Sequence, residues 1–259
     1  MVIDTHCHLN DEKYEIDCKN IIENAKNDNL EAIIVCGANL ETSKSALKLA
    51  IENNNVYAII GTHPEDCEEY NKRAENFYIK NSTNPKVVAI GEIGLDYHYS
   101  KENVQLQKEV FVKQLKLANN CNLPVCIHLR DAYEDFLEII EENKHLLNNG
   151  GVIHCFSGSL EYAKIVTRYG FKLGLDGPLT FKNNKKTQQI VKELDLNNFV
   201  VETDAPYLAP EPFRGTRNEP KMVNLVVQKI AELKQMPINK VEDILLKNTY
   251  ELYGKLNRE

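Results

Sequence analysis

The fold this sequence predicts is a parallel (β/α)8 TIM barrel, and three observations carry the prediction. Eight short apolar runs recur along 259 residues, segments of helical spacing separate them, and the first turn has no glycine-rich phosphate loop. An open doubly wound sheet of this kind usually has that loop. The runs are residues 2–7, 32–36, 56–60, 87–90, 125–127, 151–155, 171–175 and 199–201. Several are nearly continuous hydrophobics, as expected of strands covered on both faces. Residues 17–28, 42–53, 101–119, 132–142, 160–169 and 184–194 place apolar side chains three and four apart, which predicts amphipathic helices. Residues 65–81 carry a weaker form of the same pattern. Beyond the eighth run, 221–233 and 241–252 predict two more helices, so one additional C-terminal helix follows the barrel's own. Residues 206–220, rich in proline and containing Gly215, read as a long loop over the barrel mouth. With no internal repeat or linker, residues 1–259 are expected to form one domain.

Composition narrows the function classes. Hydrophobic residues make up 42% of the chain, and no apolar run approaches the roughly 20 residues that span a bilayer. The first strand begins almost at Met1 without a basic and apolar leader, so a cytoplasmic protein without a membrane partner is expected. Seven cysteines without paired spacing, in a chain long enough to stabilise itself, predict free thiols. A formal charge of −7 argues against a broad nucleic-acid surface held by phosphate contacts alone. It leaves room for a nucleic-acid enzyme whose cations sit inside a cleft.

The ligand-capable residues share one register. Asp4, His6 and His8 alternate onto one side of the first strand, with Thr5 and Cys7 on the other. Glu92 comes just beyond the fourth run, His128 directly after the fifth, His154 near the end of the sixth and Asp204 shortly after the eighth. In such barrels chemistry occupies the C-terminal mouth. Four histidines and two carboxylates there suffice for two divalent cations, and Glu92 can bridge with its two oxygens. Mixed nitrogen and oxygen donors suit Zn, Mn, Fe or Co, and Mg less well. Paired cations favour hydrolysis, especially at phosphorus.

Other residues keep two readings open. Asp204 either caps the segment that follows or serves as ligand and proton shuttle, and the shared mouth favours the second. His63, in a His-Pro turn, either orients its loop or contacts substrate. Arg130, two residues past His128, either grips a phosphate or pairs with a loop acid. Cys7 and Cys155 alternate away from the ligands and are expected between barrel and helices. Tyr97 and Tyr207 either stack on a base at the mouth or simply pack. His98 and His145 read as surface residues.

The motifs Asp4-Thr5-His6-Cys7-His8-Leu9, Gly91-Glu92-Ile93-Gly94-Leu95-Asp96-Tyr97 and His154-Cys155-Phe156-Ser157-Gly158 resemble those of the TatD family of metal-dependent deoxyribonucleases. So do Glu202-Thr203-Asp204-Ala205-Pro206-Tyr207-Leu208 and Arg217-Asn218-Glu219-Pro220, in the family's order across nearly the whole chain. The resemblance implies a barrel hydrolase within the amidohydrolase-like group, dependent on Mg or Mn, that degrades DNA from the 3′ end. It carries metal roles onto His6, His8, Glu92, His128, His154 and Asp204. Glu92 would bridge, with His6, His8 and Asp204 around one ion and His128 and His154 around the other. Thr216 stands where relatives are expected to carry a basic residue. The expected partner is DNA, preferably single-stranded, with no obligate protein partner. Related barrels that cleave amides or lactones often bridge their metals with a modified lysine where Glu92 stands here. A small-molecule hydrolase and a catalytically idle metal-binding protein are the competing readings.

Overall fold

The computed structural model describes residues 1–256 and gathers eight parallel strands into one sheet, ordered β1 to β8. The strands are β1 (Val2–Cys7), β2 (Leu30–Cys36), β3 (Val56–Ile60), β4 (Val87–Asp96), β5 (Val125–Arg130), β6 (Gly151–Ile153), β7 (Phe171–Leu175) and β8 (Phe199–Val201). A parallel bridge between Cys7 and Ala205 brings the end of the chain's eighth unit beside β1, so the sheet nearly closes as a TIM barrel. Between and after the strands run α1 (Cys18–Asn24), α2 (Leu40–Glu52), α3 (Lys72–Asn81), α4 (Val104–Asn120), α5 (Tyr133–Glu142), α6 (Leu160–Arg168), α7 (Lys185–Glu193) and α8 (Val223–Lys234). The expected extra helix is α9 (Ile238–Leu252).

Two apolar layers hold this together. One packs the outward strand residues, such as Ile33, Val35 and Ile60, against helix residues such as Phe111, Phe136 and Val227. The other fills the barrel with Ile34, Cys36, Ile59, Val88, Cys126, Val152 and Val200. Leu252, the last residue of α9, joins that inner cluster with Tyr253 and Leu256 and closes its floor. Each such side chain contributes about 1.5–3 kcal/mol by leaving water, which is why the strands read as apolar runs.

Where boundaries differ from the sequence pattern, a local interaction explains it. β4 runs six residues past Ile90 because Ile93 to Asp96 keep pairing with β5 as far as Arg130. α2 starts at Leu40, earlier than the apolar period suggests, because Asn39 and Thr42 form a reciprocal capping box. Residues 65–81 divide into a 3-10 segment, Pro64–Glu69, and α3, whose N-cap Asn71 accepts from Arg73 and Ala74 N–H groups. α1 ends at Asn24, short of the expected residue 28, and the chain turns through Asn29 at φ 65°. β6 stops at Ile153, and Cys155 takes a left-handed φ of 45°.

Candidate metal centre

Strand ends bring the six expected donors to one place. The Nε2 atoms of His6 and His8, from β1 and the residue beyond it, lie 3.3 Å apart. Glu92 Oε2 is 3.4 Å from the first and 3.8 Å from the second. Asp204 Oδ1 is 3.3 Å from His8 Nε2 and 3.7 Å from His6 Nε2. On the other side, Glu92 Oε1 lies 2.8 Å from His128 Nδ1 and 2.7 Å from His154 Nε2. The two oxygens of Glu92 therefore face two different groups of donors.

His63 joins this cluster as well, with Nε2 3.6 Å from Glu92 Oε1. Its Nδ1 accepts the Glu65 N–H at 3.1 Å, so the neutral ring carries its proton on Nε2. Burial and the neighbouring His128 push His63 down to about 3, which keeps it neutral. Burial would raise Glu92, yet His154, His6 and the hydrogen bond from His128 outweigh it and hold the carboxylate well below its usual range. Asp204 is lowered too, because His8 overcomes the cost of burial. Both carboxylates are therefore charged among imidazoles, the electrostatic condition for capturing a cation.

The backs of the rings are fixed by a further layer of partners. His8 Nδ1 donates to the Cys36 carbonyl at 3.2 Å, and His6 Nδ1 meets Cys126 Sγ at 3.4 Å. His128 Nε2 lies 2.8 Å from Asp96 Oδ2. Glu202 Oε1 accepts the Cys155 N–H at 2.5 Å but stands 3.9 Å from His154 Nδ1, beyond hydrogen-bond reach, so His154 alone has no such partner behind it among the described residues. Partners of this kind set the tautomer and raise the basicity of ligating imidazoles. Asp96 and Cys126 belong to the site although residue type and spacing did not single them out.

Asp4 does not join the donors. A register shift within β1 separates its pairing from that of Cys7, and its oxygens accept the Thr203 N–H at 2.9 Å and hydroxyl at 2.6 Å. That pair staples β1 to the segment after β8. Cys7 packs in the outer apolar layer, as expected, and its thiol reaches the Ile34 carbonyl. Cys155 differs: it lines the mouth beside Asp176. Tyr97 donates to Asp135 at 2.7 Å, whereas Tyr207 lines the mouth with its ring 6.3 Å from that of His8. His98 and His145 are exposed.

Above the centre the mouth has two lobes, of 590 Å³ and 450 Å³, which share His128, Arg130, His154, Asp204 and Tyr207. Arg130 rests over the Tyr99 ring, 4.9 Å from its centroid. The first lobe is rich in acids, with Asp11, Glu65, Asp66 and Asp96 on its wall. The second carries Phe156, Pro178, Thr187 and Leu208. Arg217 faces away from both. It pairs with Asp17 through two hydrogen bonds of 2.9 Å and 2.5 Å and lies over Tyr14.

A barrel of this topology with imidazoles and carboxylates converging on its C-terminal mouth defines the class of metal-dependent hydrolases. The family described as TatD related DNase matches residues 3–254, and the chain belongs to it. The protein of Bacillus subtilis (strain 168) named Uncharacterized metal-dependent hydrolase YabD is 43% identical over 254 residues, 98% of this chain and 99% of its own. A protein of the same description from Methanocaldococcus jannaschii is 34% identical over 98% of this chain and 97% of its own. The crystal structure of YjjV, a TatD homologue from Escherichia coli K12, superposes with a TM-score of 0.92 at 31% identity over 98% of both chains.

Proposed function

We propose that this protein hydrolyses phosphodiester bonds of DNA with two divalent cations, working from the 3′ end and preferring single strands. The observation that carries the reading is the division of Glu92, Oε2 toward His6 and His8 and Oε1 toward His128 and His154. The donor set fits two cations: each group offers imidazole nitrogen and carboxylate oxygen. His6, His8 and Asp204 would hold one ion, His128 and His154 the other, with Glu92 between them. Mg2+ or Mn2+ is the expected cofactor in activity, and Zn2+ suits the imidazoles. Such ions activate water and stabilise charge on attacking and leaving oxygens.

The chain's own groups supply the rest. Asp204, ionised and facing both lobes, accepts the proton of the attacking water and returns it to the leaving oxygen. Arg130, shared by both lobes, grips a phosphate oxygen. His63 presents a ring N–H and is a substrate donor, because the nitrogen facing the centre carries its proton.

One observation favours a second reading. The acids of the first lobe face a single guanidinium, and that wall repels a long polyanion. A small amide, lactone or phosphoester would avoid the repulsion. The discriminating experiment is a time course on end-labelled single- and double-stranded DNA with Mg2+, Mn2+ or chelator, beside an amide, lactone and phosphomonoester panel. A metal-dependent ladder shortening from the 3′ end, faster on single strands, is expected. Intact DNA with turnover of a panel compound would replace the nuclease reading by the second.

A further inference from the structure

We propose that His6, Cys36 and Cys126 form a second site for a thiophilic cation, such as Zn2+ or Cu+, in the barrel interior directly beneath the mouth. The three donor atoms all lie within 4.8 Å of one another, and all three residues are fully buried. They come from β1, β2 and β5, so the barrel itself, not a loop, fixes their spacing. His6 Nδ1 and Cys126 Sγ are 3.4 Å apart. A cation about 2.3 Å from sulfur and about 2.0–2.1 Å from nitrogen at a tetrahedral angle sets those atoms about 3.5 Å apart. That pair already stands at the separation of two ligands on one ion.

Donor chemistry separates this site from the one above it. Two sulfurs and one imidazole select soft ions and leave Mg2+ and Mn2+ to the oxygen-bearing cluster at the mouth. Binding releases one proton from each thiol, and two thiolates neutralise a divalent ion. No other cysteine belongs to a metal-holding group among the described residues, so a thiolate signal reports on this place. The ring of His6 is common to both sites: Nδ1 points to the thiols and Nε2 to Glu92. A neutral imidazole has one free lone pair. A cation on Nδ1 therefore moves the ring proton to Nε2 and withdraws His6 from the mouth, a consequence that rests on the metal roles proposed above. The inner site itself does not rest on them.

Cd2+ is the probe. Metal-free protein incubated with Cd2+, and protein produced in Cd2+-supplemented medium, are read by ultraviolet thiolate-to-cadmium charge transfer and by X-ray absorption. The expected result is a charge-transfer band and two sulfur neighbours per ion, with the band lost in C36A and C126A and kept in C121A. A sulfur-free shell in both unmodified preparations overturns the proposal without recourse to any variant. A band that survives in C36A/C126A overturns it too. Neither readout involves turnover, so its failure leaves the nuclease reading standing, and intact DNA in the assay above leaves this site standing.

Discussion

His128 is held from behind by Asp96: the carboxylate Oδ2 lies 2.8 Å from Nε2, while Nδ1 of the same ring lies 2.8 Å from Glu92. The ring is thus aligned by one acid and offered to another. An Asp96→Asn protein keeps the shape of this contact and loses its charge. Its affinity for the ion at His128 and His154 should fall about 10- to 100-fold, as for other such partners. Calorimetric titration with Mn2+ measures this.

The same pairing makes the metal-free protein sensitive to alkali. Burial lowers His128, but the hydrogen bonds to Asp96 and Glu92 prevail and raise it to about 9 from an ordinary 6.5. A raised histidine stabilises the fold fully below its unfolded value, and the contribution is lost as pH climbs through the folded one. Chelator-treated protein should therefore lose urea stability between pH 6.5 and about 9. Asp96→Asn should flatten that slope; an unchanged slope would remove His128 as its source.

Because both donor groups meet at Glu92, one substitution there should empty both. Glu92→Gln removes the buried charge shared by five imidazoles. His8→Ala touches only the group containing Asp204. Metal analysis after dialysis should then give near-zero ions for the first protein and about one for the second. Two ions retained by Glu92→Gln would remove the bridging role.

The barrel was legible because strand and helix periods alternate along the chain. The strand-end donors were legible because their register coincides with that alternation. What escaped was contact between strands. Asp96 lies six residues past the apolar run 87–90, and only the extended pairing of β4 with β5 carries it to His128. Cys126 reads as one more apolar residue of its strand until His6 arrives from across the barrel. His63 was ambiguous because its tautomer depends on the Glu65 backbone N–H. Arg217 sits in a motif near the mouth, yet its two-pronged pairing with Asp17 turns it outward.

That outward pairing predicts a stability effect without a chemical one. Arg217 ties the loop before α8 to the segment before α1, bonding Asp17, Glu219 and the Lys13 carbonyl. The group is partly exposed, so Arg217→Ala should cost about 1 kcal/mol, or about 2–4 °C in Tm. Turnover per folded molecule should be unchanged. A loss of turnover beyond the loss of folded protein would place Arg217 in the site.

Asp204 offers the sharpest test of proton transfer, because its backbone limits which substitutions are informative. It adopts φ 54°, a left-handed conformation that asparagine tolerates and alanine enters at a cost of about 1–2 kcal/mol. Asp204→Asn therefore keeps the turn, and the amide oxygen remains available as a metal ligand beside His6 and His8. It cannot accept a proton from the attacking water. Metal should still bind, more weakly, while kcat falls by about 10²–10⁴-fold. Thermal unfolding, metal titration and single-turnover kinetics on one preparation separate these effects. Full activity in Asp204→Asn would assign the proton to another group at the mouth, whereas equal losses in metal occupancy and kcat would leave Asp204 a ligand alone.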